Sequence, residues 1–297
     1  MSLKLGKERF MLAAICMVAV CLPRMLVAQD LLQQPARPVL VRFLMTFDDG
    51  PSAVPKDNPT ASILDQLKNN VVQPNIKAVF FVQTRNSNGG GTAIGQALLR
   101  REHAEGDIIA LHSGSPRGHI NHTQMPWPEF VQSLRFGIAD IKRVTGAAPQ
   151  FVRPPYWAFN ARTLTGYQEH GLRMLLDDVT IGDGKVHGVI INRHARNRMR
   201  VDLRNMYRRI VEGKVPLVDG HYPIVVTFHD TNQYTARHLQ SYLEMLVEEA
   251  WRAGMTLDSK YFYSTTAGVE TVVAVRATTT MHTALAAMKG VHTYKIQ

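Results

Sequence analysis

Residues 39–51, which read VLVRFLMTFDDGP, decide the fold class and direct the search for a site. The apolar run up to the acids predicts a buried strand that delivers Asp48 and Asp49 at its end. Gly50 and Pro51 then break the strand. Side chains alternate along a strand, so one carboxylate can bind a metal while the other faces a bound water. Taken alone, a DDGP sequence is more often a solvated turn, and its interpretation depends on what the rest of the chain supplies.

Further apolar runs also end in polar side chains, and helical patterns such as those at 126–143 and 239–250 alternate with them. This order predicts an α/β fold with a parallel sheet, either a barrel or a doubly wound sheet. The carboxyl ends of parallel strands meet on one face, so residues distant in sequence are expected to share one cleft. The polar groups that follow strands are Asp48, Asp49, His112, Arg153, Asp177, Asp178, Asp183, His229 and Asp230.

Histidines are the natural companions of the paired acids. His112 ends an apolar strand, and His119 and His122 follow in a loop rich in Gly, Pro and Ser. Two neutral imidazoles with Asp49 would form a three-ligand site with open positions for water and substrate, as a catalytic zinc requires. His229 ends another strand without a partner histidine at i+3 or i+4, which indicates an acid or base and not a ligand.

Composition limits the alternatives. The chain has 297 residues, 45% of them hydrophobic and 20% charged, which excludes global disorder, a collagen-like repeat and a coiled coil. Its two cysteines, Cys16 and Cys21, both lie in the first 25 residues. A disulfide framework, a thiolate zinc site and a cysteine nucleophile are therefore excluded for the body. Any metal there must be held by His, Asp or Glu.

The N-terminus resembles a targeting segment. A positive start precedes thirteen uncharged residues at 10–22, which is short for a membrane span of roughly 20 apolar residues and typical of a secretory signal. Residues 1–28 are predicted to be a signal peptide or an uncleaved N-terminal anchor, and residues 29–38 a linker. We therefore expect an exported protein that is periplasmic, wall-associated or secreted, with no membrane span beyond this segment.

The net charge of +10 favours anionic partners such as cell-wall polymers, while export argues against nucleic acid. The densest basic stretch is residues 193–209. It is interpreted either as a polyanion-binding helix face or as a solvated helix with Leu203, Met206 and Ile210 as its buried stripe.

Five segments, in chain order, resemble the motifs of the polysaccharide deacetylase family, the NodB-type carbohydrate esterases. TFDDGP matches the first motif fully and RPPY matches the third, whereas the fourth resembles its counterpart only in its Asp. The resemblance extends over about residues 39–260. The five segments are 46–51, 106–113, 153–156, 181–184 and 225–230.

The resemblance implies a distorted, incomplete (β/α) barrel as the catalytic domain at 39–265, followed by an extension of undetermined structure at 266–297. It implies hydrolysis of acetyl groups from glycans with a divalent metal. On the metal side, the resemblance makes Asp49 the metal-binding carboxylate and His112 the first histidine ligand. It makes Asp48 the general base that acts on water, with Arg153 as the residue that orients it.

On the leaving-group side, the resemblance implies three further roles. The backbone N–H of Tyr156 would help to stabilise the oxyanion of the tetrahedral intermediate. Asp183 would hold His229, and His229 would protonate the leaving amine or alcohol. These residues belong to the third, fourth and fifth segments.

The chain also departs from the family pattern. Pro116 stands where the second motif usually has its second histidine, so His119, or else His122, is expected to supply that ligand. Gly184 replaces the tryptophan after the fourth-motif Asp, and Thr227 replaces the leucine two residues before the catalytic histidine. The substrate platform is therefore expected to be altered.

Three functions are consistent with these residues. The first is a metal-dependent deacetylase, with zinc expected and Co, Ni or Mn as alternatives, acting on peptidoglycan, chitin-like or exopolysaccharide chains. In this function N-acetyl groups are favoured over O-acetyl groups. The second is a non-catalytic glycan-binding protein on the same scaffold, and the third a basic protein that adheres to walls or membranes. Retention of both an acid and a base favours the enzyme.

Overall fold

The structure is a computed structural model that describes residues 38–183, 191–278, 283 and 285. The predicted signal peptide or anchor and the predicted linker, apart from Pro38, lie outside the described residues, as does Gly184. None of the described helices has both the length and the apolar character that crossing a membrane requires.

A seven-stranded, all-parallel sheet forms the centre of the described chain, and its spatial order is β5-β4-β3-β2-β1-β7-β6. The sheet is open, with β5 and β6 as its two edges. Its parallel strands alternate with helices along the chain, which confirms the predicted α/β class. The strands are β1 (Val41–Asp48), β2 (Ala78–Gln83), β3 (Ile108–Ser113), β4 (Phe151–Val152), β5 (Arg173–Met174), β6 (Val179–Thr180) and β7 (Tyr222–His229).

Helices alternate with the strands, as parallel connections require. Several begin at residues that accept hydrogen bonds from the first turn, such as Asn58 before α1 and Asn232 before α6. In the described residues the helices are α1 (Pro59–Lys68), α2 (Ala93–Ala104), α3 (Trp127–Thr145), α4 (Ala161–Glu169), α5 (Ile191–Val211), α6 (Gln233–Arg252) and α7 (Thr266–Arg276).

Two apolar clusters hold the sheet in place. The larger includes Phe47 and Phe80, which stack at 5.1 Å between ring centroids. The smaller contains Leu44 of β1 and the fully buried Val272 of α7. Burial of such a side chain contributes about 1.5–3 kcal/mol. Helix α7, which lies in the predicted extension at 266–297, therefore packs against the sheet.

Strand register brings two of the predicted site segments together. Asp48 at the end of β1 pairs with His229 at the end of β7, and Thr46 pairs with Thr227. Strand β1 is central, because its neighbours are β2 and β7, and its side chains are buried on both faces of the sheet. The first and fifth segments thus lie side by side although about 180 residues separate them.

Candidate active site

A buried ion pair fixes the first acid. The Nη1 atom of Arg153 lies 2.8 Å from Oδ1 of Asp48 and donates to Thr46 Oγ1 at the same distance. Arg153 Nε donates to the carbonyl of Leu175 at 3.1 Å, and the guanidinium lies over the Phe81 ring. Both charged side chains are almost completely buried, so the Asp48 carboxylate is held in one orientation.

The second acid leaves the strand in a left-handed conformation, with φ of 75° at Asp49. Its Oδ1 lies 3.3 Å from Nε2 of His112 and 3.6 Å from Nε2 of His119, and its Oδ2 lies 3.9 Å from Nε2 of His229. Burial raises the pKa of Asp49, but the hydrogen bond with His112 and the nearby histidine charges outweigh burial. The pKa of Asp49 therefore falls below its usual range.

Asp49, His112 and His119 can hold a divalent metal, because one ligand atom from each lies within 4.8 Å of the other two. His112 Nδ1 lies 2.8 Å from the carbonyl oxygen of Arg153, which can only accept, so Nδ1 carries the proton and Nε2 is free to bind a metal. Burial, followed by the proximity of His112, lowers the pKa of His119 to about 4. A carboxylate with two neutral imidazoles fits zinc and similar ions.

His122 lies outside this group. It is fully buried, and its Nδ1 atom is 2.8 Å from the hydroxyl of Tyr167. Burial lowers its pKa to about 3, which keeps the ring neutral. Of the two residues expected to substitute for the histidine missing at Pro116, His119 is therefore the one that lies beside Asp49.

The opposite side of the group carries a His–Asp pair. Asp183 Oδ1 lies 2.7 Å from Nδ1 of His229, and its Oδ2 accepts from the His229 backbone N–H and from the Thr235 hydroxyl. Burial alone would lower the pKa of His229. The charge and hydrogen bond of Asp183 outweigh burial and raise this pKa to about 10. His229 is thus protonated at neutral pH, as a proton donor must be.

Tyr156 lies at the rim and has a left-handed φ of 61°. Its ring stacks on His119 with centroids 4.2 Å apart, and its hydroxyl donates to the His119 carbonyl at 3.2 Å. The side chain is about half exposed. The proline-stiffened turn before it thus presents Tyr156 to the metal-binding group as well as to solvent.

Two site residues were missed in the sequence. Gln83 ends β2 and donates through Nε2 to Asp49 Oδ1 at 2.8 Å. Thr235, in the first turn of α6, donates to Asp183 at 2.7 Å. A polar residue closing the apolar run AVFFVQ was a usable signal for Gln83. A threonine near a helix start has an ordinary capping explanation, so nothing distinguished Thr235.

Thr227 takes part in the network beneath Asp48. Its hydroxyl lies 3.0 Å from that of Thr46, which also accepts from Arg153. Replacement of an apolar residue by threonine at this position therefore extends the polar support of the Asp48–Arg153 pair.

Two other predicted site acids have structural partners. Asp230 follows β7 as expected, but Asp178 lies immediately before β6 and not after a strand. Both carboxylate oxygens of Asp178 accept from the same atom, Nη2 of Arg276 in α7, at 2.6 and 2.7 Å. Asp230 accepts from the Thr60 hydroxyl at 2.7 Å and lies directly against Gly50, where an added Cβ would be 2.1 Å from its carboxylate. These acids stabilise the frame around the site.

The basic segment at 193–209 falls in α5, and its arginines divide into two sets. Arg196 and Arg200 donate to the buried carboxylate of Glu249, and Arg209 contacts Asp178. The side chain of Arg193 lies outside the described residues. The predicted buried stripe of Leu203, Met206 and Ile210 is confirmed, whereas Arg198, Arg204 and Arg208 are exposed.

The comparison with known families gives this arrangement a context. Residues 41–175 match the family model described as polysaccharide deacetylase. This part of the chain is therefore similar to the polysaccharide deacetylase family. The matched region includes the first three sequence segments, while Asp183 and His229 follow it in the chain.

Individual relatives agree with this assignment. The peptidoglycan-N-acetylglucosamine deacetylase PgdA of Listeria monocytogenes is 27% identical over 220 residues, which are 74% of this chain and 39% of the relative. The chain thus spans about two fifths of that relative's length.

Solved structures show the fold. A chitin deacetylase from Colletotrichum lindemuthianum superposes with a TM-score of 0.55 at 19% identity and covers 75% of this chain and 86% of its own. A family 4 acetyl xylan esterase from Clostridium thermocellum, in complex with a cobalt ion, gives 0.52 at 20% identity and covers 79% and 92%. The predicted incomplete barrel of the polysaccharide deacetylase type is confirmed.

Proposed function

We propose that this protein is a metal-dependent hydrolase that removes acetyl groups from an extracytoplasmic polysaccharide. The observation that carries the proposal is the placement of Asp49, His112 and His119 beside both Asp48 and His229. A proton acceptor and a proton donor thus lie at one group of metal-binding atoms. This is the pattern required for acid–base hydrolysis of an amide.

Asp49, His112 and His119 would hold the ion. When bound, a divalent ion polarises a substrate carbonyl and lowers the pKa of water towards about 7. Zinc is the expected ion, with Co, Ni or Mn as alternatives, since a carboxylate with two imidazoles suits several of these metals. The relative with a cobalt ion in its structure supports this choice of ion class.

The chain's own residues then move the protons. Asp48, oriented by Arg153, accepts a proton from the water whose oxygen attacks the acetyl carbonyl carbon. The backbone N–H of Tyr156 would donate to the developing oxyanion. As the bond between carbonyl carbon and leaving group breaks, His229 donates its Nε2 proton to the leaving atom. The products are acetate and a glycan with a free amine or hydroxyl.

An N-acetyl substrate is favoured over an O-acetyl ester. An amine leaves poorly unless it is protonated, and Asp183 keeps His229 protonated at neutral pH. The Listeria relative is named for N-acetylglucosamine in peptidoglycan, which supports a wall glycan substrate, with chitin-like and exopolysaccharide chains as alternatives. The acetyl xylan esterase among the structural relatives supports the ester alternative.

The test is acetate release from a panel of peptidoglycan, chitin oligosaccharides and acetylated xylan, with metal content measured on the same samples. The wild-type protein should release acetate, and Asp48→Asn should retain its metal while losing turnover at least 100-fold. Full activity in Asp48→Asn would contradict the base assignment. Glycan binding without acetate release from any substrate would favour the non-catalytic alternative.

A further inference from the structure

His119 is a metal-binding candidate that no regular element holds. It lies in the loop between β3, which ends at Ser113, and the short turn of 3-10 helix at His122–Gln124. His112, by contrast, belongs to a strand, and its ring is oriented by a hydrogen bond to the Arg153 carbonyl. Other residues must therefore fix where the His119 ring lies.

The side-chain amides of Gln83 and Asn86 form a hydrogen-bonded pair, here called the amide pair, that contacts the metal-binding group. Gln83 is almost completely buried, and its Nε2 donates to Asp49 Oδ1, the same oxygen that faces His112 and His119. Its Oε1 accepts from Asn86 Nδ2 at 2.9 Å. Both ends of the Gln83 amide are thus paired, which fixes its orientation and directs an N–H at the carboxylate.

The same amide pair contacts the loop that carries His119. Gly118 has φ of 76°, and an added Cβ there would lie 2.8 Å from Asn86 Nδ2 and 2.9 Å from Gln83 Oε1. The loop backbone therefore rests directly on the two amides. One pair of side chains contacts both the carboxylate Asp49 and the residue that precedes His119.

Aromatic contacts hold the imidazole itself. The His119 ring stacks on Tyr156 at 4.2 Å, with 25° between the planes, and on His112 at 5.1 Å, with 23° between the planes. The Tyr156 hydroxyl also donates to the His119 carbonyl. Tyr156 thus restrains both the ring and the backbone of His119.

We propose that Gln83 and Tyr156 are positioning residues of the metal centre. Gln83, held by Asn86, sets the direction of Asp49 and seats the loop, and Tyr156 holds the His119 ring towards Asp49. The proposal rests on the proposed function, because it requires Asp49 and His119 to bind a metal. Loss of such outer contacts typically weakens metal binding 10- to 100-fold.

The test measures Zn²⁺ and Co²⁺ affinity by competition with a chromophoric chelator, together with the visible absorption spectrum of the Co²⁺ protein. Gln83→Leu and Tyr156→Ala should each weaken binding about 10- to 100-fold and change the Co²⁺ spectrum. Tyr156→Phe keeps the ring and removes only the hydroxyl, so its metal affinity should fall less than that of Tyr156→Ala. Tyr156 is about half exposed, so its variants test the proposal even if Gln83→Leu fails to fold.

Tyr234 provides a matched control, since it stacks on His238 at 3.9 Å outside the metal group. Tyr234→Ala should bind both ions with wild-type affinity. Wild-type affinity and spectrum in Gln83→Leu and Tyr156→Ala would overturn the positioning roles while leaving the proposed function intact. A wild-type protein that binds no more metal than Asp49→Ala would overturn both.

Discussion

A single oxygen atom, Oδ1 of Asp49, organises the candidate metal site. It accepts the N–H of Gln83 at 2.8 Å and faces the Nε2 atoms of His112 and His119 at 3.3 and 3.6 Å. An oxygen that already accepts one hydrogen bond has a defined orientation, so its remaining capacity is directed towards the imidazoles. The geometry of the group thus depends on a residue that is not itself a ligand.

The two loop histidines should respond differently to removal. His119→Ala should abolish metal uptake. His122→Ala should retain the metal and lose about 1–3 kcal/mol of stability, because the buried Tyr167 hydroxyl loses its partner. Metal content and urea unfolding of both variants provide the measurement. Loss of metal only in His122→Ala would reverse the assignment.

Asp183 should control the alkaline limit of activity. In the proposed mechanism His229 acts in its protonated form, and Asp183 raises the pKa of His229 to about 10, so activity should persist into alkaline solution. Asp183→Asn removes the charge, and the alkaline limb of the kcat profile should move to lower pH by at least one unit. An unshifted profile would exclude His229 as the proton donor.

The same pair contributes to folding stability with a defined sign. The folded-state pKa of His229 is raised above its ordinary value of 6.5. Its contribution is therefore fully present below pH 6.5 and is lost as the pH rises through about 10. Asp183→Asn should remove this part of the pH dependence of unfolding.

At the scale of elements, the buried carboxylate of Glu249 in α6 accepts hydrogen bonds from arginines of α5. Glu249 accepts from Arg196 at 3.0 Å, from Arg200 at 2.9 Å and from Arg252 at 2.8 Å. Its neighbour Glu248 also contacts Arg196 but is half exposed. Part of the basic segment is thus used to join two helices, which leaves a smaller exposed basic face than its composition indicates.

The two adjacent glutamates provide a matched pair of variants. Glu249→Gln should destabilise the protein by about 2 kcal/mol, since a buried carboxylate that accepts charged donors loses its charge. Glu248→Gln should cost less than about 0.5 kcal/mol, because an exposed ion pair contributes little. Urea unfolding midpoints should show this order, and equal losses would contradict it.

Sequence patterns predicted the long elements better than the short ones. Strands β1, β2, β3 and β7 are six to eight residues long, mostly apolar and largely buried, so they are easily recognised. Strands β4, β5 and β6 have two residues each, which is too short for a periodic pattern to be recognised. Polar residues at the ends of long strands, such as Asp48 and His229, were therefore placed correctly.

The sequence could not determine which of the two loop histidines lies beside Asp49. His119 was placed before His122 only on proximity, because a non-repeating loop has no period that assigns a direction to its side chains. Their separation follows from tertiary contacts, stacking on Tyr156 for His119 and burial against Tyr167 for His122. Gln83 was missed for a related reason, since its role depends on a carboxylate 34 positions earlier in the chain.

For the molecule as a whole, α7 closes one face of the sheet. It covers the second apolar cluster, and Arg276 at its end binds Asp178. The helix follows the sequence resemblance in the chain and yet supplies three valines to a cluster that contains central strands. Its packing should therefore be required for the stability of the described body.

Substitutions in α7 test this requirement. Val272 is fully buried, so Val272→Asp places an unpaired charge among apolar side chains and should cost more than about 4 kcal/mol. Val275 is 48% exposed, and Val275→Asp should cost less than about 0.5 kcal/mol. Thermal unfolding of the two variants compares them directly. A wild-type melting temperature in Val272→Asp would show that the packing of α7 is not required.

The pairing of Asp48 with His229 across β1 and β7 has a consequence for engineering. The backbone separation of the two residues is set by the spacing of adjacent strands, about 4.8 Å, and not by an adjustable connection. In directed evolution towards bulkier acyl groups, we therefore expect the separation of β1 and β7 at Asp48 and His229 to stay unchanged. Useful variation should accumulate instead at the entrance, where half-exposed side chains such as Tyr156 can change size without disturbing the backbone ladder.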